Sequence, residues 1–266
     1  MMRGTRPKAF VLSKEVRMTQ KTILITGGSR GIGAAIARQA AAGGYAVCLN
    51  YRRDAGAAQQ VVADIRGNGG TAVAVAGDIG VEADVMALFQ AFDRHFGRLD
   101  VLVNNAAILE QQMRLETMTA ARLTRVMNTN VIGTFLCARE AVLRMSMRHG
   151  GKGGAIVNVS SAAARLGSAF EYIDYAASKG AIDTLTIGLA REVAEEGIRV
   201  NAVRPGPILT DMHASGGEPG RVDRVKDAIP LKRGGTPDEV ARAVLWLASG
   251  EASYSTGAIL DVSGGR

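Results

Sequence analysis

From Lys21 onward the chain alternates short apolar runs with longer segments whose apolar residues recur at helical spacing. The runs at 22–26, 46–51, 72–76, 101–103, 155–159, 199–203 and 258–262 are rich in Val, Ile, Leu and Ala. Their brevity and continuous apolar character predict strands buried on both faces. Between them the spacing predicts helices over 32–42, 55–66, 81–96, 120–148, 175–196 and 237–248. Gly43-Gly44, the Gly67-Asn68-Gly69-Gly70 stretch and Gly97 stop the first three helices, and Pro237 suits the first turn of the last. Residues 205–236 read as a loop with short helices. Strict β/α alternation predicts an α/β fold: a seven-stranded parallel sheet with helices on both faces. No linker or repeat interrupts it, so residues 19–266 read as one domain.

Composition narrows the function classes. Of 266 residues, 47% are hydrophobic and 33 are Gly. That apolar content excludes a disordered chain. No uncharged apolar run approaches the ~18–20 residues of a membrane span. Cys48 and Cys137 sit in apolar surroundings and suggest neither a disulfide framework nor a metal site, so a reducing, cytoplasmic setting is expected. His95, His149 and His213 have no ligand spacing, and no metal is expected. The net charge of +7 is uneven: residues 1–18 carry +4 of it, leaving +3 for the rest. A nucleic-acid partner is therefore not expected. The apolar run Ala9–Leu12 is too short for a secretory signal. Residues 1–18 read as a non-functional extension, with Met18 as an alternative start.

The candidate chemistry begins between the first strand and the first helix. Thr26-Gly27-Gly28-Ser29-Arg30-Gly31-Ile32-Gly33 lets the backbone turn tightly and approach a pyrophosphate, while the helix N-terminus offers free N–H groups and the positive end of its dipole. A plain tight turn is the alternative. Downstream stands Tyr175-Ala176-Ala177-Ser178-Lys179. Four residues apart on a predicted helix, Tyr175 and Lys179 share one face. A free Tyr has a pKa of ~10, and a nearby ammonium favours the phenolate.

These motifs resemble the short-chain dehydrogenase/reductase family. The resemblance runs from about Lys21 to Gly265 through Thr26-Gly-x-x-x-Gly-x-Gly33, Gly77-Asp78-Ile79, Asn104-Asn105-Ala106, Asn130, Asn158-Val159-Ser160-Ser161, Tyr175-x-x-x-Lys179 and Pro205-Gly206. It implies a Rossmann-type doubly wound fold and an oxidoreductase that moves hydride between a nicotinamide and a carbonyl or secondary alcohol. It further implies that Ser161 orients the substrate oxygen, with Ser160 as the structural alternative, and that Tyr175 exchanges its proton. Lys179 would lower the Tyr175 pKa and hold the nicotinamide ribose. Asn130 would kink its helix and support a water relay, against the plainer reading of a satisfied core amide. Cofactor contacts are implied for Gly27, Ser29, Arg30, Gly31, Ile32 and Gly33, for Asp78 and Ile79, for Asn105, Ala106 and Ala107, and for Pro205, Gly206, Ile208 and Thr210. Ala107 stands where the family usually has Gly, which argues against a left-handed backbone there. A non-catalytic NADP-binding redox sensor is the rival reading.

Charge selects the cofactor subtype. An NAD site wants an acid near the end of strand two. Here the strand ends Asn50-Tyr51-Arg52-Arg53, and arginines attract a 2′-phosphate. Arg30 adds a further cation, and Asp54 reads as a helix N-cap. NADP(H) is expected over NAD(H). The substrate class, whether 3-oxoacyl, sugar, steroid or small ketone, depends on residues 205–236, including Met212 and His213, and on 162–171. Arg122, Arg125, Arg139, Arg144 and Arg148 read as a solvated or subunit-contact face. The helices around 120–148 and 175–196 carry surplus apolar surface, which predicts a homotetramer, or a homodimer failing that.

Overall fold

A computed structural model describes residues 20–266, so the proposed extension and Met18 lie outside the described residues. Seven strands form one parallel sheet in the order β3-β2-β1-β4-β5-β6-β7. They are β1 Thr22–Ile25, β2 Ala46–Tyr51, β3 Ala72–Ala76, β4 Val101–Asn104, β5 Gly154–Val159, β6 Ile198–Pro205 and β7 Ile259–Val262. Helices α1 Gly31–Ala42, α2 Ala55–Gly67 and α3 Glu82–Phe96 connect the first four strands. After β4 come α4 Ala120–Met127 and α5 Gly133–Met145, and after β5 come α6 Ala163–Leu166 and α7 Ile173–Val193. Short helices α8 Met212–Ser215 and α9 Arg221–Val225 lie in the loop before α10 Pro237–Ala248.

The strands are apolar on both sides because each side has its own core. Ile23, Ile25, Val47, Leu49, Val101 and Val103 pack with α1, α2 and α10. The intervening Leu24, Cys48 and Leu102 pack on the opposite face with α3, α5 and α7. Successive strand side chains point to opposite faces, so one continuous run supplies both cores. The helix starts follow local chemistry. Asp54 accepts a hydrogen bond from Ala57 N at 2.9 Å, as expected of an N-cap. Thr236 and Glu239 form a reciprocal capping box ahead of Pro237.

Three expectations need correction. The segment 120–148 is not one helix. A π turn, Asn128–Ile132, separates α4 from α5, and α5 ends at Met145 before a 3₁₀ turn. An apolar period near 3.6 is insensitive to a single wider turn. Here that turn is held by the Asn130 amide, which bonds to Ile108 and Ser178 rather than following the helix. Helix α7 starts two residues before Tyr175, at Ile173, and ends at Val193. Finally, Arg122 is not on a solvated face. Its side chain is 3% exposed and grips Asp174, which is 1% exposed, with Nε 2.7 Å from Oδ2. Its Nη1 donates to the Gln111 carbonyl. The other arginines of that series do reach the surface, paired with acids such as Glu110, Glu82 and Asp93.

The Arg122–Asp174 pair is placed to matter, because Asp174 also accepts a hydrogen bond from Tyr175 N at 2.9 Å. Removing one partner of a buried pair strands the other charge. Asp174→Ala should lower the unfolding free energy by about 3–5 kcal/mol. The measurement is a urea transition with its midpoint shifted down and its slope unchanged. A loss below about 1 kcal/mol would mean that the pair behaves as a surface pair.

Candidate active site

The site forms where the sheet order reverses, between β1 and β4, at the carboxyl ends of the strands. The glycine loop leaves β1 and is clamped from β4. Thr26 Oγ1 accepts from Asn105 N at 3.0 Å and Ala106 N at 3.1 Å. Asn105 Nδ2 donates to the carbonyls of Thr26 and Gly27, both at 3.0 Å. Gly27 has φ +63°, and a Cβ there would stand 2.9 Å from Ala106 Cα. Gly33 is required for closeness instead: a Cβ would lie 2.3 Å from the Gly27 carbonyl oxygen. Ala107 is not among the residues with positive φ, so alanine meets no backbone penalty there.

The donors needed for a diphosphate are present. The N-cap residue of α1, Arg30, is extended and its side chain makes no cap hydrogen bond. The first-turn N–H groups around Gly31, Ile32 and Gly33 therefore keep their capacity for an anion. Ser29 is half-buried in the same turn, and Arg30 is exposed beside it. The chemistry of this donor set fits a dinucleotide.

At the end of β2, Asn50 is 2% exposed and works inside the fold. Its Nδ2 donates to the Gly77 carbonyl at 2.9 Å, and its Oδ1 faces Gly27 N at 3.4 Å. Tyr51 is half-buried, and Arg52 and Arg53 are exposed. Arg52 lies 3.3 Å from the Asp78 carboxylate in a solvent-exposed pair. Ile79 is buried against α5, where a Cβ on Gly133 would stand 2.7 Å from the Ile79 carbonyl oxygen.

A cavity of about 400 Å³ joins these elements to the second half of the sheet. Ile32, Asn105 and Ala107 line it on one side, with Ser161, Tyr175 and Lys179 on the other. Pro205, Gly206, Ile208 and Thr210 close it from above β6. Thus every element of the expected catalytic set except Asn130 borders one space. Ser160 and Ser161 separate clearly. Ser160 is 2% exposed and its Oγ donates to the Lys179 carbonyl at 3.2 Å, tying β5 to α7. Ser161 is half-buried and its Oγ accepts from Ala163 N at 3.1 Å.

Asn130 is 1% exposed and fully engaged: Oδ1 accepts from Ile108 N at 2.8 Å, and Nδ2 donates to Ile108 O at 3.0 Å and Ser178 Oγ at 3.1 Å. It is both a satisfied core amide and the residue of the helix distortion. It fastens the loop after β4 to α7 one turn from Tyr175.

The electrostatics depart from the expected Tyr–Lys relation. Burial pushes Tyr175 up to about 12; the Ser161 hydroxyl and then the Arg221 charge pull it back but do not win. Lys179 is not among the groups that lower it. Its ammonium points to the Val159 carbonyl at 2.7 Å, and burial brings its own pKa down to about 8. Desolvation disfavours both charged forms and dominates both residues.

Sequence reasoning missed Arg221. It comes from α9, is remote in sequence from every motif, and carries no spacing signal. In the fold its guanidinium lies 4.9 Å from the Tyr172 ring centroid and pairs with Glu171 at 2.5 Å. Tyr172 itself is 2% exposed, with its hydroxyl donating to Gly216 O at 3.1 Å, so it is a structural anchor for the loop.

Lys179 makes stability depend on pH with a definite sign. Unfolded, it titrates near 10.5; folded, near 8. Between those values the unfolded state binds more protons, so stability rises with pH. The stability advantage of the native chain over Lys179→Met should grow by about 2 kcal/mol between pH 7.5 and 9.5. Paired urea titrations read this difference; a flat difference across that window would overturn the assignment.

Comparison with known proteins agrees with this geometry. A family model described as enoyl-(acyl carrier protein) reductase matches residues 27–266. An uncharacterised oxidoreductase of Escherichia coli (strain K12), YgfF, is 59% identical over 243 residues, covering 91% of this chain and 98% of its own length. A 3-ketoacyl-(acyl-carrier-protein) reductase from Brucella melitensis, solved with NADH, superposes with a TM-score of 0.85 at 35% identity, covering 92% of this chain and 98% of its own. A short chain dehydrogenase from Burkholderia cenocepacia J2315, solved with NADP, gives a TM-score of 0.85 at 36% identity, covering 94% and 98%. With the glycine loop, the Ser161–Tyr175–Lys179 cluster and this sheet order together, the chain belongs to the short-chain dehydrogenase/reductase family of oxidoreductases.

Proposed function

We propose that the chain is an NADP(H)-dependent oxidoreductase that transfers hydride between the nicotinamide and the carbon of a carbonyl or secondary alcohol. The observation that carries this reading is the convergence of Ser161, Tyr175 and Lys179 on the cavity that Ile32 and Asn105 border from the glycine loop side. A redox sensor without turnover has no use for that cluster.

Gly27, Ser29, Gly31, Ile32 and Gly33 would hold the diphosphate at the N-terminus of α1. Asp78 and the Ile79 backbone would face the adenine, and Asn105, Ala106, Ala107, Pro205, Gly206, Ile208 and Thr210 the nicotinamide half. Arg30, Arg52 and Arg53 would take the 2′-phosphate, while Asn50 and Tyr51 set the floor beneath it. The exposed Arg52–Asp78 pair is weak, so Arg52 can turn to a phosphate at small cost. The neighbours solved with NADH and with NADP differ in this choice, so the arginines of this chain support NADP(H).

When bound, the cofactor supplies or accepts the hydride. Ser161 Oγ orients the substrate oxygen. Tyr175 Oη gives a proton to that oxygen in reduction and takes it in oxidation. Lys179 spends one N–H on Val159 and keeps two for the ribose hydroxyls. Asn130 is a positioning residue that supports the proton route by holding its π turn against α7. Both cysteines are free thiols, which supports a reducing cytoplasm, and no helix among the described residues is long and apolar enough to cross a membrane.

A homotetramer is the proposed assembly, with a homodimer the smaller form. Ile132, Phe135 and Leu143 beside and on α5, and Ile187 on α7, are between 39% and 48% exposed. A Cβ on Gly180 or Gly188 would meet open space. Exposed apolar side chains flanked by small residues suit close helix packing against a second copy.

Tyr175→Phe keeps the ring and removes the hydroxyl. Turnover followed at the NADPH absorbance band, over a panel of carbonyl substrates, should fall by roughly 10²–10⁴ with NADPH binding nearly unchanged. Near-normal turnover would remove Tyr175 from the proton step. Arg52→Asp replaces attraction to the 2′-phosphate with repulsion and should weaken NADPH far more than NADH. An unmoved preference would assign recognition to Arg30 or Arg53, or cofactor use to NAD.

A further inference from the structure

Helix α7 opens without a side-chain cap: its N-cap residue, Tyr172, makes no side-chain cap hydrogen bond. The first N–H groups of a helix have no partner inside it. Here the helical bonds begin with Ala176 N to Tyr172 O at 2.9 Å. Tyr175, the third residue of α7, therefore stands in the turn most prone to fray. Its N–H donates instead to Asp174 Oδ1 at 2.9 Å.

The carboxylate of Asp174 is fixed in turn from a different element. Arg122 stands in the first turn of α4, where the Thr119 cap accepts from its backbone N–H at 3.3 Å. Its guanidinium meets both Asp174 oxygens, Nε with Oδ2 at 2.7 Å and Nη2 with Oδ1 at 3.3 Å. Nη1 donates to the Gln111 carbonyl at 2.6 Å. The three contacts use one planar fork. Gln111 belongs to the loop after β4, whose Ala107 and Leu109 line the cavity with Tyr175. One buried cation thus joins that loop to the residue beside Tyr175. Lys179, one turn further along α7, is held independently: Ser160 Oγ donates to its carbonyl, and its own ammonium reaches Val159. Asn105 and Ala106 are held by Thr26.

We propose that Arg122 is a positioning residue for the proton step: through Asp174 it fixes the backbone of Tyr175, through Gln111 it fixes the loop after β4, and together these set where the Tyr175 hydroxyl stands. This rests on the reading of Tyr175 as the proton donor. Arg122 does not line the cavity, so it acts only through these neighbours. A misplacement of about 1 Å caused far from the chemistry costs roughly 10²-fold in rate. A brace at this junction therefore acts on kcat. The cofactor side has its own supports in Thr26, Ser160 and Val159, so NADPH affinity is spared. A pair kept for stability alone behaves differently, because exchanging a buried ion pair for well-packed apolar side chains is often neutral.

The test uses the full chain. Arg122→Lys keeps the charge, but a single ammonium cannot span Asp174 and Gln111 as the fork does. Arg122→Met combined with Asp174→Leu removes both charges at once, so neither is left buried and unpaired. NADPH fluorescence gives Kd and the number of competent sites. Turnover of cyclohexanone, ethyl acetoacetate and a 3-oxoacyl thioester is divided by that number. In the paired variant kcat per site should fall by roughly 10²-fold, with the NADPH Kd within about twofold. Arg122→Lys should lie between it and the native chain. In a Tyr175→Phe background the same paired change should cost less than about threefold, because no hydroxyl remains to be placed. An unchanged kcat per site in the paired variant, an NADPH Kd that rises in step with the loss of kcat, or an equal loss without the Tyr175 hydroxyl overturns the brace and leaves the oxidoreductase reading standing. Loss of NADPH binding in both Arg122 variants also overturns it, since the pair then serves the fold as a whole. Near-normal turnover in Tyr175→Phe, or none by the native chain on all three carbonyls, overturns the proton-donor reading, and the brace with it.

Discussion

A parallel sheet covered on both faces leaves chemistry only one place to go. Leu24, Cys48 and Leu102 are sealed beneath one helix layer, and Ile23, Ile25 and Val103 beneath the other. The edges of the central strands are occupied by their neighbours. The strand ends remain. At the carboxyl ends the strand order reverses between β1 and β4, the loops diverge, and a cleft opens. The glycine loop, Ser161 and the 205–210 segment all stand at that one rim.

Polar residues at the rim mostly hold one another. Asn104 donates to Asn158, which donates to Thr186 on α7. Asn105 and Thr26 lock β4 to the glycine loop. Ser160 bonds the backbone of α7, and Asn130 fastens the loop after β4 to Ser178. Each is a buried or nearly buried group with at least one partner, as low dielectric requires, and only Asn104 among them keeps an unpaired atom, its Oδ1. The result is a rim at which Tyr175 and Lys179 are braced by a layer of amides and hydroxyls.

Burial also governs the charges. Tyr175 and Lys179 are driven toward their neutral forms, one upward and the other downward. The cation that lowers the Tyr175 pKa is Arg221, delivered by the loop between β6 and α10. That same loop is pinned to the segment before Tyr175 by Tyr172 and Glu171. Tyr175 and this loop therefore share one electrostatic environment.

The amino-acid sequence by itself determined the strand and helix order, because two-faced burial and glycine stops are local patterns. It also carried the glycine loop, Tyr175 and Lys179, whose spacing is set within a single turn or helix. The sequence favoured Ser161 over Ser160, and both line the cavity, but only the fold showed the Ser160 hydroxyl bonded to the backbone of α7. The π turn at Asn130 escaped the helical period, since a side chain reaching across to Ile108 and Ser178 leaves no trace in local spacing. Arg122 looked like one of a row of surface arginines, yet its partner Asp174 lies far along the chain. Arg221 and His213 met Tyr175 only through folding of the 205–236 loop. Periodicity records which face of an element is apolar. Which distant polar groups come to share a buried space is decided by tertiary packing, where desolvation makes each of them find a partner or wait for a ligand.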